Sequence, residues 1–162
     1  MPEVICNTSP IQYLHQLGLL RLLPSLVERV TVPPAVVDEL AAGRAMGINL
    51  PDPDTLDWIT IRRPSSAAAL PMVTDLGPGE TEVLALALES PDAVVILDDG
   101  LARQVAETLG IQLTGTLGVL LDAKRGGLVS AVAPLLDQLQ TLRFRLAPRT
   151  RAAVLKLAGE AP

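Results

Sequence analysis

Aromatic side chains are nearly missing from this sequence: Tyr13, Trp58 and Phe144 are the only three among 162 residues. A surface that holds nucleic acid by stacking bases on aromatic rings has almost nothing to build with. The single cysteine, Cys6, can neither close an internal disulfide nor supply a zinc cluster, which fits a reducing compartment. The single histidine, His15, sits in a helical segment with Tyr13, Leu14 and Leu17, where packing or surface explains it better than metal binding. Positive charge is scarce as well, with 13 Lys and Arg against 18 Asp and Glu and a net charge of −5. No overall field draws the chain onto a polyanion, so contact with nucleic acid has to be local, through metal and a few arginines. The longest unbroken apolar run, Val83 to Leu88, is far short of the roughly 20 residues that cross a bilayer. Met1-Pro2-Glu3-Val4 sets no basic leader before a hydrophobic run. The expectation is therefore no membrane span, no secretion signal and a cytoplasmic protein. There is no G-x-x-x-x-G-K-[ST] phosphate loop, and Gly77-Pro78-Gly79-Glu80-Thr81-Glu82 has glutamate where a dinucleotide fingerprint needs its third glycine.

What the chain does have is apolar surface: 49% of residues are hydrophobic and 19% charged, enough to offset chain entropy in one core. Residues 1–162 are expected to form a single domain, with 129–162 as a C-terminal helical extension. Short β-branched runs alternate with amphipathic segments. Strands are predicted at Val4-Ile5-Cys6, Val30-Thr31-Val32, Trp58-Ile59-Thr60-Ile61, Ala93 to Leu97 and Gln112-Leu113-Thr114. Helices are predicted at Pro10 to Leu17, Leu19 to Val27, Pro34 to Ala45, Glu80 to Glu89, Leu101 to Leu109, Leu117 to Arg125, Val129 to Leu142 and Pro148 to Leu157, with a loop from Arg62 to Pro71. Strands separated by helices imply parallel pairing, hence an α/β class: a three-layer α/β/α sandwich around a short, mainly parallel sheet.

Ligands of such sheets gather outside the carboxyl ends of the strands. Asn7 follows the first strand there, and Asp98 with Asp99 follow the strand Ala93 to Leu97. If these strands are neighbours, the polar groups converge. Each also has a plainer explanation: Asn7 or Ser9 as a helix cap, and one of the two aspartates as a cap of the next helix. Glu39 flanks the apolar stripe Val36, Val37 and Leu40, as a solvated helix flank would. Glu80 and Glu82 open a helix, where the dipole favours acids, yet Glu80 lies one turn before Leu84 and Leu88 and so borders the packed face. If the carboxylates do cluster, their mutual repulsion raises their pKa values unless a divalent cation occupies the site. An oxygen-only shell suits magnesium or manganese, and the matching chemistry is phosphodiester hydrolysis.

In order along the chain stand Val4-Ile5-Cys6-Asn7-Thr8-Ser9-Pro10, Pro33-x-x-Val36-Val37-x-Glu39-Leu40, Gly79-Glu80-x-Glu82, Ile96-Leu97-Asp98-Asp99-x-x-Ala102-Arg103 and Gly115-Thr116-Leu117-Gly118-Val119-Leu120, with Ala123-Lys124-Arg125-x-Gly127-Leu128 behind. In these blocks the sequence resembles the PIN-domain superfamily, in particular its PIN-like predicted nucleic-acid-binding branch related to VapC-type toxins. The resemblance implies a magnesium- or manganese-dependent ribonuclease whose toxin members are held inactive by small antitoxins. It implies catalytic and metal-binding roles for Asn7, Glu39, Glu80 and Asp98, with Asp99 as an alternative to Asp98, and bordering roles for Ser9 and Thr116. Arg103, Lys124 or Arg125 would contact phosphate, unless they only solvate the surface. Asn7 departs from the pattern: it stands where the family places an aspartate, and an amide oxygen ligates a cation without contributing charge.

The expected function is therefore divalent-metal-dependent hydrolysis of RNA, as the toxin of a toxin–antitoxin pair. Two alternatives stand beside it: a PIN-fold module without turnover that binds RNA or a protein partner, and an α/β domain for a small molecule, which requires an apolar pocket remote from the acids. Expected partners are RNA, a small antitoxin protein and a second copy of the chain in a homodimer, or a partner docked on apolar C-terminal helices such as Val132 to Leu142.

Overall fold

Five strands of only three residues each carry the centre of the protein in the computed structural model, which describes residues 2–65 and 75–161. They are β1 (Val4–Cys6), β2 (Val30–Val32), β3 (Ile59–Ile61), β4 (Val94–Ile96) and β5 (Gln112–Thr114), in spatial order β3-β2-β1-β4-β5 with every neighbouring pair parallel. Such strands read as continuous apolar runs because helices cover both of their faces. Ile5 and Val95 lie in register, as do Cys6 and Ile96, and all four are buried. The helices are α1 (Thr8–Gln16), α2 (Leu22–Val27), α3 (Pro34–Ala45), α4 (Pro78–Glu89), α5 (Gly100–Thr108), α6 (Thr116–Arg125), α7 (Ala133–Thr141) and α8 (Pro148–Leu157), with a 3-10 turn at Pro53–Thr55. The class is the expected α/β sandwich with a fully parallel sheet.

Helix α4 packs on β1 and β4 and against α3, while α2 packs on β2 and against α6. Val83 to Ala87 of α4 are all buried, the signature of a helix enclosed by its neighbours. Leu23, Leu26 and Val27 of α2, with Val119 of α6, close over Val4, Val94 and Ile96. One hydrophobic cluster runs from β1 to α8, and Leu136, Leu139, Val154 and Leu155 belong to it, so the C-terminal helices complete the same core. Among the described residues no helix is long and apolar enough to cross a membrane.

The ends of several elements differ from the sequence expectation. Helix α1 begins at Thr8, two residues early, and α4 at Pro78. Leu19 to Arg21 form a turn, not the start of α2; Gly18 at φ 75° ends α1, and Leu19 packs on the core from the turn. The first residues of the predicted Val129 to Leu142 helix are not helical either. Glu160 accepts hydrogen bonds from the Val132 and Ala133 amides (2.7 and 3.0 Å), and this fixes the start of α7 at Ala133. The predicted loop from Arg62 to Pro71 is open chain at 62–65; its remainder, 66–71, lies outside the described residues.

Candidate functional site

The strand order changes direction at β1, which has β2 on one side and β4 on the other. Crevices at such reversals, beyond the carboxyl ends of the strands, are where ligands of parallel sheets sit. Asn7 is the first residue past β1, and its amide donates to the Ile96 carbonyl (3.0 Å), which fixes it beside the end of β4. It occupies the N-cap position of α1, yet its side chain caps nothing. Asn7 is 3% exposed, and its Oδ1 is buried without a hydrogen-bond partner among the described residues. An orphaned acceptor of this kind costs about 1–3 kcal/mol.

The carboxylate of Glu39, from the middle of α3, is turned toward Asn7. It accepts hydrogen bonds from the Thr8 hydroxyl at Oε1 and from the Gly79 amide at Oε2 (3.0 Å). Gly79 lies in the first turn of α4, where free amides and the helix dipole favour an anion. A Cβ at position 79 would stand 2.5 Å from Glu39 Oε1 and 3.0 Å from Asn7 Oδ1, so both oxygens converge on the space the glycine leaves open. Glu82, one turn along, accepts from the Ala35 amide (2.9 Å) and so fastens α4 to the start of α3. That long-range cap was not visible in the sequence, where Glu82 reads only as a dipole partner.

Asp98 extends past β4 and lies between α1 and α6. Its Oδ1 accepts from the Thr116 amide (2.8 Å) and its Oδ2 from the Thr116 hydroxyl (2.6 Å). Burial pushes its carboxyl above the ordinary aspartate range, against the Thr116 hydrogen bonds and the Arg103 charge. The Asp98 charge in turn adds to the effect of burial in raising the Cys6 thiol and the Tyr13 phenol. Gly115 permits this packing: a Cβ there would meet Asp98 Oδ1 at 2.8 Å and Arg103 Nη1 at 3.0 Å. Arg103 Nη1 donates to the Leu97 carbonyl (2.8 Å).

Glu80 lies in the first turn of α4 with its carboxylate curled over Gly77. Burial raises its pKa, and the charges of Asp99 and Glu39 raise it further, while the Glu80 and Gly77 amides oppose them. Asp99 is the N-cap of α5, with Oδ2 accepting from the Ala102 amide (2.9 Å), so of the two aspartates it is the second that caps the helix. Ser9, Glu80, Asp98 and Asp99 line one cleft of about 290 Å³, which a turn between α7 and α8 completes with Arg143, Phe144 and Arg145. A neighbouring depression joins Asp98, Arg103 and Gly115 to the same Phe144 and Arg145.

The structure thus sets Asn7 beside Glu39 over Gly79, and Glu80 with Asp98 and Asp99 in the adjoining cleft. Lys124 and Arg125 are elsewhere engaged, with Glu160 (2.9 Å) and Asp122 (3.3 Å). Sequence reasoning missed Thr8, Gly79 as a space-maker, and the two arginines of the α7–α8 turn; Leu142-Arg143-Phe144-Arg145 offers only an aromatic flanked by cations as a signal. Among the described residues no three His, Cys, Asp or Glu side chains stand close enough to grip an ion alone. Magnesium and manganese need less, since they keep several waters and take one or two carboxylates. The orphaned Asn7 Oδ1 next to Glu39 Oε1 fits such an ion.

Comparison with known proteins agrees with the fold. A family model described as a PIN domain matches residues 3–160. No curated protein matches the chain. No solved structure matches it either.

Proposed function

The chain belongs to the PIN-domain family, and from that premise we propose that it is a divalent-metal-dependent ribonuclease that hydrolyses RNA phosphodiester bonds at the acidic cleft. The family's fold is of nuclease type; the metal, the RNA substrate and the role as toxin of a toxin–antitoxin pair, held inactive by a small antitoxin, are parts of the proposal. The observation that carries it is the buried, unpartnered Asn7 Oδ1 facing the same space as Glu39 Oε1. Asn7, Glu39, Glu80 and Asp98 would hold magnesium or manganese, with Asp99 as the alternative to Asp98. Bound there, the ion would polarise the phosphate and the attacking water. Thr8 and the Gly79 amide hold Glu39 in place, and Thr116 does the same for Asp98 through both of its donors. Burial and the charges of Asp99 and Glu39 raise the Glu80 carboxyl, and a bound cation would oppose that shift and favour its ionised form. Ser9 borders the cleft on which the phosphate would rest.

A second reading has its own observation. The amide at position 7 brings no charge to the site, which favours a PIN-fold module that binds RNA or a protein partner without turnover. The third, a small-molecule domain, has an apolar cavity between α2, α6 and the sheet, but at about 240 Å³ it is below the roughly 300–1,000 Å³ of a ligand pocket. Incubating the protein with a mixed RNA pool and manganese separates the first two. The nuclease reading expects cleavage that chelator stops and that Glu80→Gln or Asp98→Asn abolishes. Cleavage that appears only in Asn7→Asp rejects it in favour of the module without turnover.

A further inference from the structure

Among the described residues, seven that end or follow a helix have a positive φ, and five of them are glycine: Gly18, Gly47, Gly110, Gly127 and Gly159. The other two are Glu28, at φ 65° after α2, and Arg143, at φ 70° after α7. The stop of α7 is a Schellman turn: the Phe144 amide donates to the Leu139 carbonyl (2.9 Å) and the Arg143 amide to that of Gln140 (3.0 Å). Its left-handed position is where glycine is least strained. A long cation held there against backbone preference points to a use for its side chain.

The turn is fixed in place by Phe144, whose ring meets Tyr13 edge-on at 5.0 Å and 82°. That contact leaves Arg143 and Arg145 in the cleft that contains Glu80, Asp98 and Asp99. Both arginines are exposed, and among the described residues neither forms a salt bridge or a side-chain hydrogen bond. The cations singled out in the sequence have partners, Arg103 the Leu97 carbonyl, Lys124 Glu160 and Arg125 Asp122. A chain with net charge −5 and three carboxylates in its cleft repels a polyanion, so an RNA strand needs local cations at that point.

We propose that Arg143 and Arg145 form a phosphate clamp for the RNA strand, fixing its backbone beside the carboxylates. The inference rests on the ribonuclease reading and assigns it a substrate-binding element contributed by the α7–α8 turn. Two arginines that flank Phe144 in the turn offer separate phosphate contacts and carry no base preference.

The test uses the full chain and a labelled 20-nucleotide single-stranded RNA, with binding read by fluorescence anisotropy in calcium and cleavage read in manganese. Arg143→Gly suits the left-handed turn, so its melting temperature should stay level or rise; Arg145→Gln is a second variant without a backbone effect. Each is expected to weaken RNA binding about fivefold at 0.1 M salt and to lower the slope of log K against log salt by about 0.7. KM should rise while kcat changes little. If both variants fold, bind and cleave as the native protein does, the clamp is refuted and the nuclease reading stands. If the native protein binds without cleaving and the variants lose that binding, the clamp holds and the nuclease reading falls. Absence of both binding and cleavage in the native protein rejects the two together.

Discussion

Replacing Gly79 by alanine tests whether the convergence of Asn7 and Glu39 matters. The new Cβ would lie 2.5 Å from Glu39 Oε1 and 3.0 Å from Asn7 Oδ1, whereas ordinary contact begins near 3.4 Å. Both obstacles are side-chain ends, so the backbone of α4 can stay in place while the Glu39 carboxylate retreats by about 0.9 Å. That movement stretches or breaks the hydrogen bond from the Gly79 amide to Oε2, now 3.0 Å, and loss of such a charge-assisted bond costs about 1.5–3 kcal/mol. Alanine returns up to about 1 kcal/mol through its better helix propensity. The net loss is on the order of 1 kcal/mol, or about 3 °C in melting temperature for a chain of this size. Activity should suffer far more, because a displacement near 1 Å in a positioned group costs on the order of 100-fold. Differential scanning fluorimetry with and without manganese, beside a timed RNA cleavage assay, reads both effects. A Gly79→Ala protein that cleaves at the native rate and gains the same stability from manganese would refute the idea that position 79 keeps a metal site open.

Two further outcomes depend on pH. Because burial raises the Asp98 carboxyl, the folded protein binds a proton that the unfolded chain has already released, so stability falls as pH rises from the ordinary aspartate value through the raised one. Asp98→Asn should remove that part of the slope in urea titrations between pH 3.5 and 7 and be at least as stable as the native protein at neutral pH; an unchanged slope refutes the assignment. Glu160 behaves in the opposite sense, held down to about 2 by the Val132 and Ala133 amides and by Lys124. Its contribution is complete above the ordinary glutamate value and is lost as pH falls toward 2. Glu160→Gln should therefore lower the melting temperature at pH 7, with the difference shrinking in acid; equal melting at pH 7 would show that the cap does not hold α7.

The centre of the fold was legible because its signals are local. Val30-Thr31-Val32 and Ala93 to Leu97 are β-branched runs bounded by polar residues, and parallel strands covered on both faces need no more pattern than that. The expected convergence of Asn7 and Asp98 started from the inference that β1 and β4 are neighbours; the strands do pair, with Asn7 set beside Glu39 and Asp98 in the adjoining cleft. What escaped is decided by residues far apart in the chain. Glu160 sets the start of α7 from 27 and 28 residues away, and Glu82 caps α3 across 47 positions. Leu19 and Leu20 pack on the core from a turn, and hydrophobic periodicity does not separate that from a helix. Of the paired aspartates, only the path of the chain into α5 shows that Asp99 caps the helix while Asp98 turns to Thr116.

The unsatisfied amide at position 7 bears on both functional readings. An apolar side chain there would strand no acceptor, whereas burying an unpaired polar group costs free energy. Two donors close by do not relieve it: the Thr8 hydroxyl and the Gly79 amide both serve Glu39. Folding alone therefore gives no reason for an oxygen at that point, and a ligand that arrives from the cleft does. A cation would satisfy it as an electron-pair acceptor, whether or not a reaction then followed, so in the proposed function metal binding and turnover are separable. The charge missing at position 7 would lower the strength of the first and, through it, the rate of the second.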